Sequence, residues 1–253
     1  MASQYLVDSL EDVSIGSVVV LDGPEGRHAV TVTRVRAGET LRIADGRGTV
    51  VTGTVASLGK DTLTLTVSSV DVEPRPLPAL VLVQALAKGG RDEMAVQAAT
   101  EIGADAIVPW SASRSVSRWD GPKIEKGRAR WTAIVHEAAK QSLRARVPET
   151  GPLATTASLA LAAGGAAAAG LEERTTLVLL DPTADQRLST WDPPTDAAAI
   201  ALVVGPEGGI SEAELERLES AGAVRARLGA SVLRTSTAGP AALAILQARL
   251  GRW

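Results

Sequence analysis

The stretch VVGPEGGISEAELERL (203–218) decides how the second half of this 253-residue chain is read. An apolar strand end runs into a glycine-rich loop, and the loop feeds a helix. Ser211 followed three residues later by Glu214 fits a capping box, which marks the helix start. A second loop and helix follow in LGASVLRTSTAGPAALAIL (228–246), where LRTST leads into another apolar helix. Two tight loops that each feed a helix N-terminus expose backbone N–H groups able to hold a ligand. GPEGG has neither the GxGxxG spacing of a dinucleotide site nor the GK[ST] of a phosphate loop, and Pro206 has no N–H to offer. A small neutral or zwitterionic ligand held by main-chain contacts suits this composition.

Working outward, TTLVLLDP and AAIALVVGPEGG read as two continuous apolar strands, and ALVLVQAL as a third. RDEMAVQAATEIG reads as an amphipathic helix stopped by Gly103, ADAIVP as a short strand, and KIEKGRARWTAIVHEAAKQSL as a longer helix carrying Gly127 near its start. ATTASLALAAGG reads as a helix interrupted by Gly164 and Gly165. Alternating strands and helices imply an α/β fold with a mainly parallel sheet covered on both faces. Ligands of such sheets bind beyond the carboxyl ends of the strands. LLDP, VVGPEGG and LGASVLRT all fall at such ends. Residues 13–72 look different: VVVLD, HAVTVTRV, TLRIAD, TVVTGTVASL and TLTLTVSSV read as short strands of a small barrel. Three prolines in VEPRPLP (72–78) mark a linker.

Composition narrows the classes. The chain is 45% hydrophobic and 22% charged, as in ordinary globular domains. No apolar run approaches a membrane span, and MASQYLVDSL is not a secretory signal, so a cytoplasmic protein is expected. Cysteine is absent, which excludes disulfides, thiol catalysis and Cys-ligated zinc. His28 and His136 are the only histidines, so no His-rich metal site is expected. The net charge is −3, yet residues 112–148 hold nine Lys and Arg against three Asp and Glu. Such a stripe is the footprint of a phosphate-backbone partner, or else a solvated helix face. With no Phe, one Tyr and five Trp, aromatic platforms for bases are scarce.

GPEGGIS, LGASVLRTSTA and KQSLRARVPE (140–149) resemble the RsmE family of SPOUT-class RNA methyltransferases. So do RHAVTVTRVRAGE (27–39), DGRG (45–48) and KGGRDEMAVQAATEIGADAIVP (88–109). The resemblance covers nearly the whole chain, and the order and spacing of the motifs carry it. It departs from the family at Ser236, where LRTETA is frequent, so no role of that glutamate carries over. The resemblance implies a PUA-like β-barrel for RNA over 1–72 and a SPOUT trefoil-knot methyltransferase domain over 79–253, working as a homodimer. It implies methyl transfer from S-adenosylmethionine, without a metal, to N3 of a uridine in 16S rRNA of the small ribosomal subunit. The rival readings are a SPOUT enzyme acting on tRNA and an RNA-binding module that has lost catalysis.

The resemblance assigns the cofactor pocket to three segments. These contribute Leu180, Asp181 and Pro182; then Gly205, Pro206, Glu207, Gly208, Gly209 and Ile210; then Leu228, Gly229, Leu233, Arg234 and Thr235. Leu180, Ile210 and Leu233 are expected to line the adenine. Thr235 is expected either to donate a hydrogen bond to the ligand or to cap the next helix. RNA contacts are assigned to Arg27, His28, Arg34, Arg36 and Arg47 in the β domain, and to Lys88, Arg91, Arg114, Arg144 and Arg146 in the second. Uridine N3 is a weak acid that must lose its proton, so a cation beside the forming anion is needed. Arg234 is the expected source of that charge, with Glu207 to orient it or accept the proton. A plain surface pairing of Arg234 with Glu207 or Glu212 is the alternative.

Overall fold

The computed structural model describes residues 4–253. Contacts divide the chain into two units. One holds the residues up to Arg75 together with Ala139–Val147, and the other Pro76–Ala138 and Pro148–Trp253.

In the first unit, β1 (Gln4–Leu6), β2 (Val18–Leu21), β3 (Thr40–Ala44), β4 (Thr49–Leu58) and β5 (Leu63–Val72) form one sheet in the order β1-β3-β4-β5-β2. β1 runs parallel to β3 and the other pairs are antiparallel. Alternation in β4 and β5 puts Val51, Val55, Leu63 and Leu65 into a core shared with Tyr5, Leu21 and Ile43. β1 lies in the segment MASQYLVDSL, which the sequence reading assigns to no strand.

HAVTVTRV is not a strand. The short helix α1 (Gly23–Arg27) passes into a wide helical turn over His28–Thr33, closed by the Arg34 N–H on the Ala29 carbonyl. The cause lies just upstream. Gly26 lies so close to the Leu21 and Asp61 carbonyls that a Cβ would sit about 2.6 Å from both, which holds the helix against that backbone. The alternation of HAVTVTRV then has no core to face: Ala29 is the buried residue of the turn, and Val32 is exposed.

The chain parts at Arg75–Pro76, inside the proline-rich linker. The boundaries 1–72 and 79–253 do not provide for residues 139–147. Gln4 Nε2 donates to the Arg144 carbonyl at 2.7 Å, Gly48 N–H to Ala145 O at 3.1 Å, and Val147 N–H to Gly46 O at 2.9 Å. Lys140 pairs with Glu25 at 2.7 Å, and Arg146 donates twice to the Glu73 carbonyl.

The second unit is an α/β layer structure. Its seven parallel strands are β6 (Ala79–Ala85), β7 (Ala106–Ser111), β8 (Glu149–Thr150), β9 (Ala154–Thr155), β10 (Thr175–Leu180), β11 (Ala199–Val204) and β12 (Val224–Ala226). Their order is β12-β10-β11-β6-β7-β8, with β9 also on β7. β6 and β11 are buried at every position, which is why they read as unbroken apolar runs. The helices are α2 (Arg91–Ile102), α3 (Pro122–Gln141), α4 (Thr156–Ala163), α5 (Glu212–Ser220) and α6 (Thr235–Arg249). Leu159 of α4 and Leu215 and Leu218 of α5 pack with Val81, Val83 and Val203 on one face. α6 covers the other face. It lies so close that a Cβ on Gly239 would reach Leu82 Cδ1 at 2.6 Å. No helix among the described residues is long and apolar enough to cross a membrane.

Candidate active site

β11 is inserted between β6 and β10, so the chain leaves neighbouring strands in different directions and opens a crevice beyond their carboxyl ends. A cavity of about 580 Å³ lies there. Leu180, Asp181 and Pro182 wall it from the end of β10, and Gly205, Pro206, Glu207, Gly209 and Ile210 from the loop after β11. Val232, Leu233, Arg234, Thr235 and Ala238 close it from the start of α6, and Arg91 from the start of α2. A smaller extension of the same wall adds Leu228 and Gly229 beside Leu180 and Leu233.

The loop after β11 is built to come close. The capping box is present: Ser211 Oγ accepts the Glu214 N–H at 3.4 Å, and Glu214 Oε2 accepts the Ser211 N–H at 3.2 Å. The buried Glu214 also takes hydrogen bonds from Ser113 and Thr156. Burial pushes this carboxyl up, but the Ser113, Ser211 and Thr156 donors outweigh it and hold it below the usual carboxylate range. A lowered folded-state pKa adds stability that is complete above the ordinary value of 4.5 and is lost as pH falls through the folded value. Glu214→Gln is therefore expected to cost about 1.5–3 kcal/mol at neutral pH and to flatten the acid limb of the stability curve. Denaturant melts across pH check this; an unchanged acid limb rules it out.

Gly208 is the one loop residue that does not face the cavity. A Cβ there would meet Arg114 Cβ at 3.4 Å, an ordinary contact, and its backbone is not left-handed. Arg114 explains the placement, since its guanidinium donates to the Gly208 and Ile210 carbonyls at 3.0 and 3.3 Å and grips the loop from outside. Gly205 and Gly209 have steric or backbone requirements for glycine that Gly208 lacks. A Cβ on Gly205 would fall 2.9 Å from the Ile210 nitrogen. Gly209 is left-handed at φ +72°, with open space where a side chain would stand.

Thr235 ties the two loops together. Its hydroxyl donates to the Gly205 carbonyl at 2.7 Å and accepts from Gln84 Nε2 at 2.9 Å. The fully buried Gln84 at the end of β6 is thus part of the site. Its signal in the sequence is a lone polar residue in ALVLVQAL. Thr235→Val removes the donor to the Gly205 carbonyl and one of the two acceptors of the Gln84 amide, which keeps only the Ala85 carbonyl at 3.1 Å, and is expected to cost about 1–3 kcal/mol. Chemical denaturation measures this, and a stability equal to that of the native chain would contradict the tie.

No side chain caps α6, so its positive N-terminal end opens on the cavity beside the exposed Arg234, its N-cap residue. The Arg234 guanidinium has no ion-pair partner among the described residues, so neither Glu207 nor Glu212 claims it. Glu207 instead accepts the Lys88 N–H at 3.2 Å and pairs with Arg91 at 3.0 Å. Burial raises this carboxyl, but its own N–H, the Lys88 N–H and Arg91 more than compensate and lower it. Glu207 is therefore held as an anion that orients Arg91, and it makes a weak base. Asp181 is similarly engaged, by Arg225 and by Thr183 at 2.9 Å. Burial raises it, and these donors bring it below the usual range. Nothing in the sequence signals Arg225.

The basic stripe looks different in the fold. Arg130 and Lys140 are paired with Glu93 and Glu25, whereas Arg114, Arg128 and Arg146 donate to main-chain carbonyls and keep their positive charge. Arg27, His28, Arg34, Arg36 and Arg47 are exposed on the β unit, where the His28 ring stands edge-on to Tyr5 at 6.2 Å. His136 and Lys88 are exposed on the second unit, and Ser236 is half-buried in the first turn of α6.

An RNA methyltransferase domain family matches residues 73–247, and an RNA methyltransferase PUA domain family matches residues 21–68. A Mycobacterium bovis protein named ribosomal RNA small subunit methyltransferase E is 42% identical over all of this chain and 94% of its own length. Its Bacillus subtilis namesake is 31% identical over 86% of this chain and 85% of its own. A crystal structure of the Neisseria gonorrhoeae enzyme of that name, bound to S-adenosyl methionine, superposes with a TM-score of 0.83 at 28% identity, covering 98% of each chain. A Legionella pneumophila methyltransferase with bound cofactor gives 0.80 at 28% identity, again over 98% of each chain. The fold is that of the SPOUT class with a PUA-like N-terminal unit, and the chain belongs to the ribosomal RNA small subunit methyltransferase E family.

Proposed function

We propose that this protein transfers a methyl group from S-adenosylmethionine to N3 of a uridine in the 16S rRNA of the small ribosomal subunit. The observation that carries the reading is the cavity beyond β10 and β11, which joins apolar walls, close-approach glycines and an unpaired arginine. Leu180, Ile210 and Leu233 supply apolar surface for an adenine, Gly209 leaves open space at the cavity wall, and Gly205 lets the loop fold tightly onto Ile210. The positive end of α6 suits the carboxylate of the cofactor's amino-acid tail. When bound, S-adenosylmethionine supplies an electrophilic methyl group.

The residues of this chain act on the acceptor. Ionising N3 places negative charge on the uracil carbonyl oxygens, and Arg234 can meet that charge with a planar fork of donors. Arginine is never the base, and the ionised, Arg91-paired Glu207 is a poor one. A ribosomal substrate places the reaction in the cytoplasm, and the exposed Val232 and Trp253 suit contact with a second copy of the chain.

The test is transfer of labelled methyl to small ribosomal subunits isolated without this modification, compared with bulk tRNA. Label is expected in the rRNA, and calorimetric binding of S-adenosylmethionine to the protein is expected to be unaffected by EDTA. Label in tRNA alone supports the tRNA-modifying alternative. Cofactor and RNA binding without any transfer supports an inactive RNA-binding module.

A further inference from the structure

We propose that a second cavity in the α/β unit receives one nucleotide of the RNA strand, its base against Trp119 and its phosphate on Lys88. This rests on the reading of the substrate as RNA. The cavity measures about 420 Å³, within the usual range for small-ligand pockets. Residues 87–90, between β6 and α2, form one wall. Val116, Ser117 and Trp119 form the second, and α3 at Gly127, Arg130 and Trp131 forms the third.

Six aromatic residues serve the whole chain, and two of them meet here. Trp131 is fully buried and stands edge-to-face with the half-buried Trp119, ring centres 5.3 Å apart. Gly127 accounts for the seat of Trp119. A Cβ at that point of α3 would fall 2.6 Å from Trp119 Cδ2 and Cζ2, so the indole lies against bare helix backbone. A glycine inside a helix costs stability, and here it yields a fixed indole at the edge of a cavity.

Charge singles out Lys88. Arg130 is held by both oxygens of Glu93, and Asp92 accepts the Ala87 and Glu93 N–H groups. The Lys88 ammonium is exposed and has no partner among the described residues. The next two residues, Gly89 and Gly90, are both left-handed, at φ +67° and +71°. Space at Gly89 is open, so a phosphate can approach the main chain closely. The Lys88 N–H bonds to Glu207, a wall of the first cavity. A strand anchored in the second cavity therefore passes beside the cofactor cavity.

Lys88→Gln, Trp119→Leu and Trp119→Phe, made in the full chain, test this against naked small-subunit rRNA. Lys88→Gln and Trp119→Leu are each expected to weaken RNA binding about tenfold or more, while Trp119→Phe stays near wild type. Cofactor affinity by calorimetry should be unchanged in all three. RNA should quench tryptophan fluorescence in the wild type, and Trp119→Phe should remove that quench. Wild-type RNA affinity in both Lys88→Gln and Trp119→Leu overturns the proposal. Should Trp119→Leu fail to fold, the Trp119→Phe quench decides: an RNA-induced quench that persists in Trp119→Phe overturns the proposal, since Lys88 is expected to meet RNA with or without this subsite. Quenching by uridine monophosphate that RNA does not displace makes the cavity a mononucleotide site and also overturns it. A wild-type protein that binds no RNA overturns the functional reading itself, which the variants leave untouched.

Discussion

Arg234→Ala is expected to lower methyl transfer about a hundredfold or more, the usual cost of removing one donor aimed at developing charge. Cofactor affinity should fall far less. The anionic uracil exists only on the way to the transition state, so charge directed at it acts mainly there. The structure leaves Arg234 available for this role, exposed at the cavity wall with no carboxylate engaged. Arg234→Lys should rescue poorly, because a point charge does not reproduce the fork. Raising the pH should restore part of the alanine variant's rate, since more uracil is then already ionised. Full turnover of Arg234→Ala on ribosomal subunits would remove Arg234 from the mechanism. Arg91, the other arginine of the cavity, would then be the candidate.

The second large effect is a contrast between neighbouring glycines. Gly205→Ala should weaken cofactor binding about ten- to a hundredfold, because the added methyl would press on the Ile210 nitrogen and the Gly209 carbonyl carbon, which are backbone atoms and cannot step aside. Gly208→Ala should bind nearly as well as the native chain, since its methyl meets only the Arg114 side chain at ordinary distance. Calorimetry with S-adenosylmethionine reads both. Equal affinities in the two variants would mean that the loop is only a turn.

Where the sequence was legible, local chemistry and tertiary structure agreed. The apolar runs of β6, β10 and β11 state double burial outright, and the Ser211–Glu214 box states a helix start. HAVTVTRV misled because alternation is informative only where a sheet exists to receive it, and the fit of Gly26 against Leu21 and Asp61 decided otherwise. Within the site, the three segments converge, yet which face each residue shows is a tertiary fact. Gly208 turns to Arg114, Arg91 reaches the cavity through Glu207, and Thr235 spends its hydroxyl on Gly205. Gln84 and Arg225 act through partners 151 and 44 residues away, a distance that no local pattern spans. The cations of 112–148 could be counted in the sequence, but their partners could not.

The most direct measurement is to incubate small ribosomal subunits lacking this modification with the protein and S-adenosylmethionine. The 16S rRNA is then digested, and the methylated nucleoside identified and mapped by mass spectrometry. The account predicts N3-methyluridine at a single position, formed about a hundredfold or more slowly when Arg234→Ala replaces the native chain. A methyl group on ribose, on another ring atom, or on no rRNA nucleotide at all would contradict it.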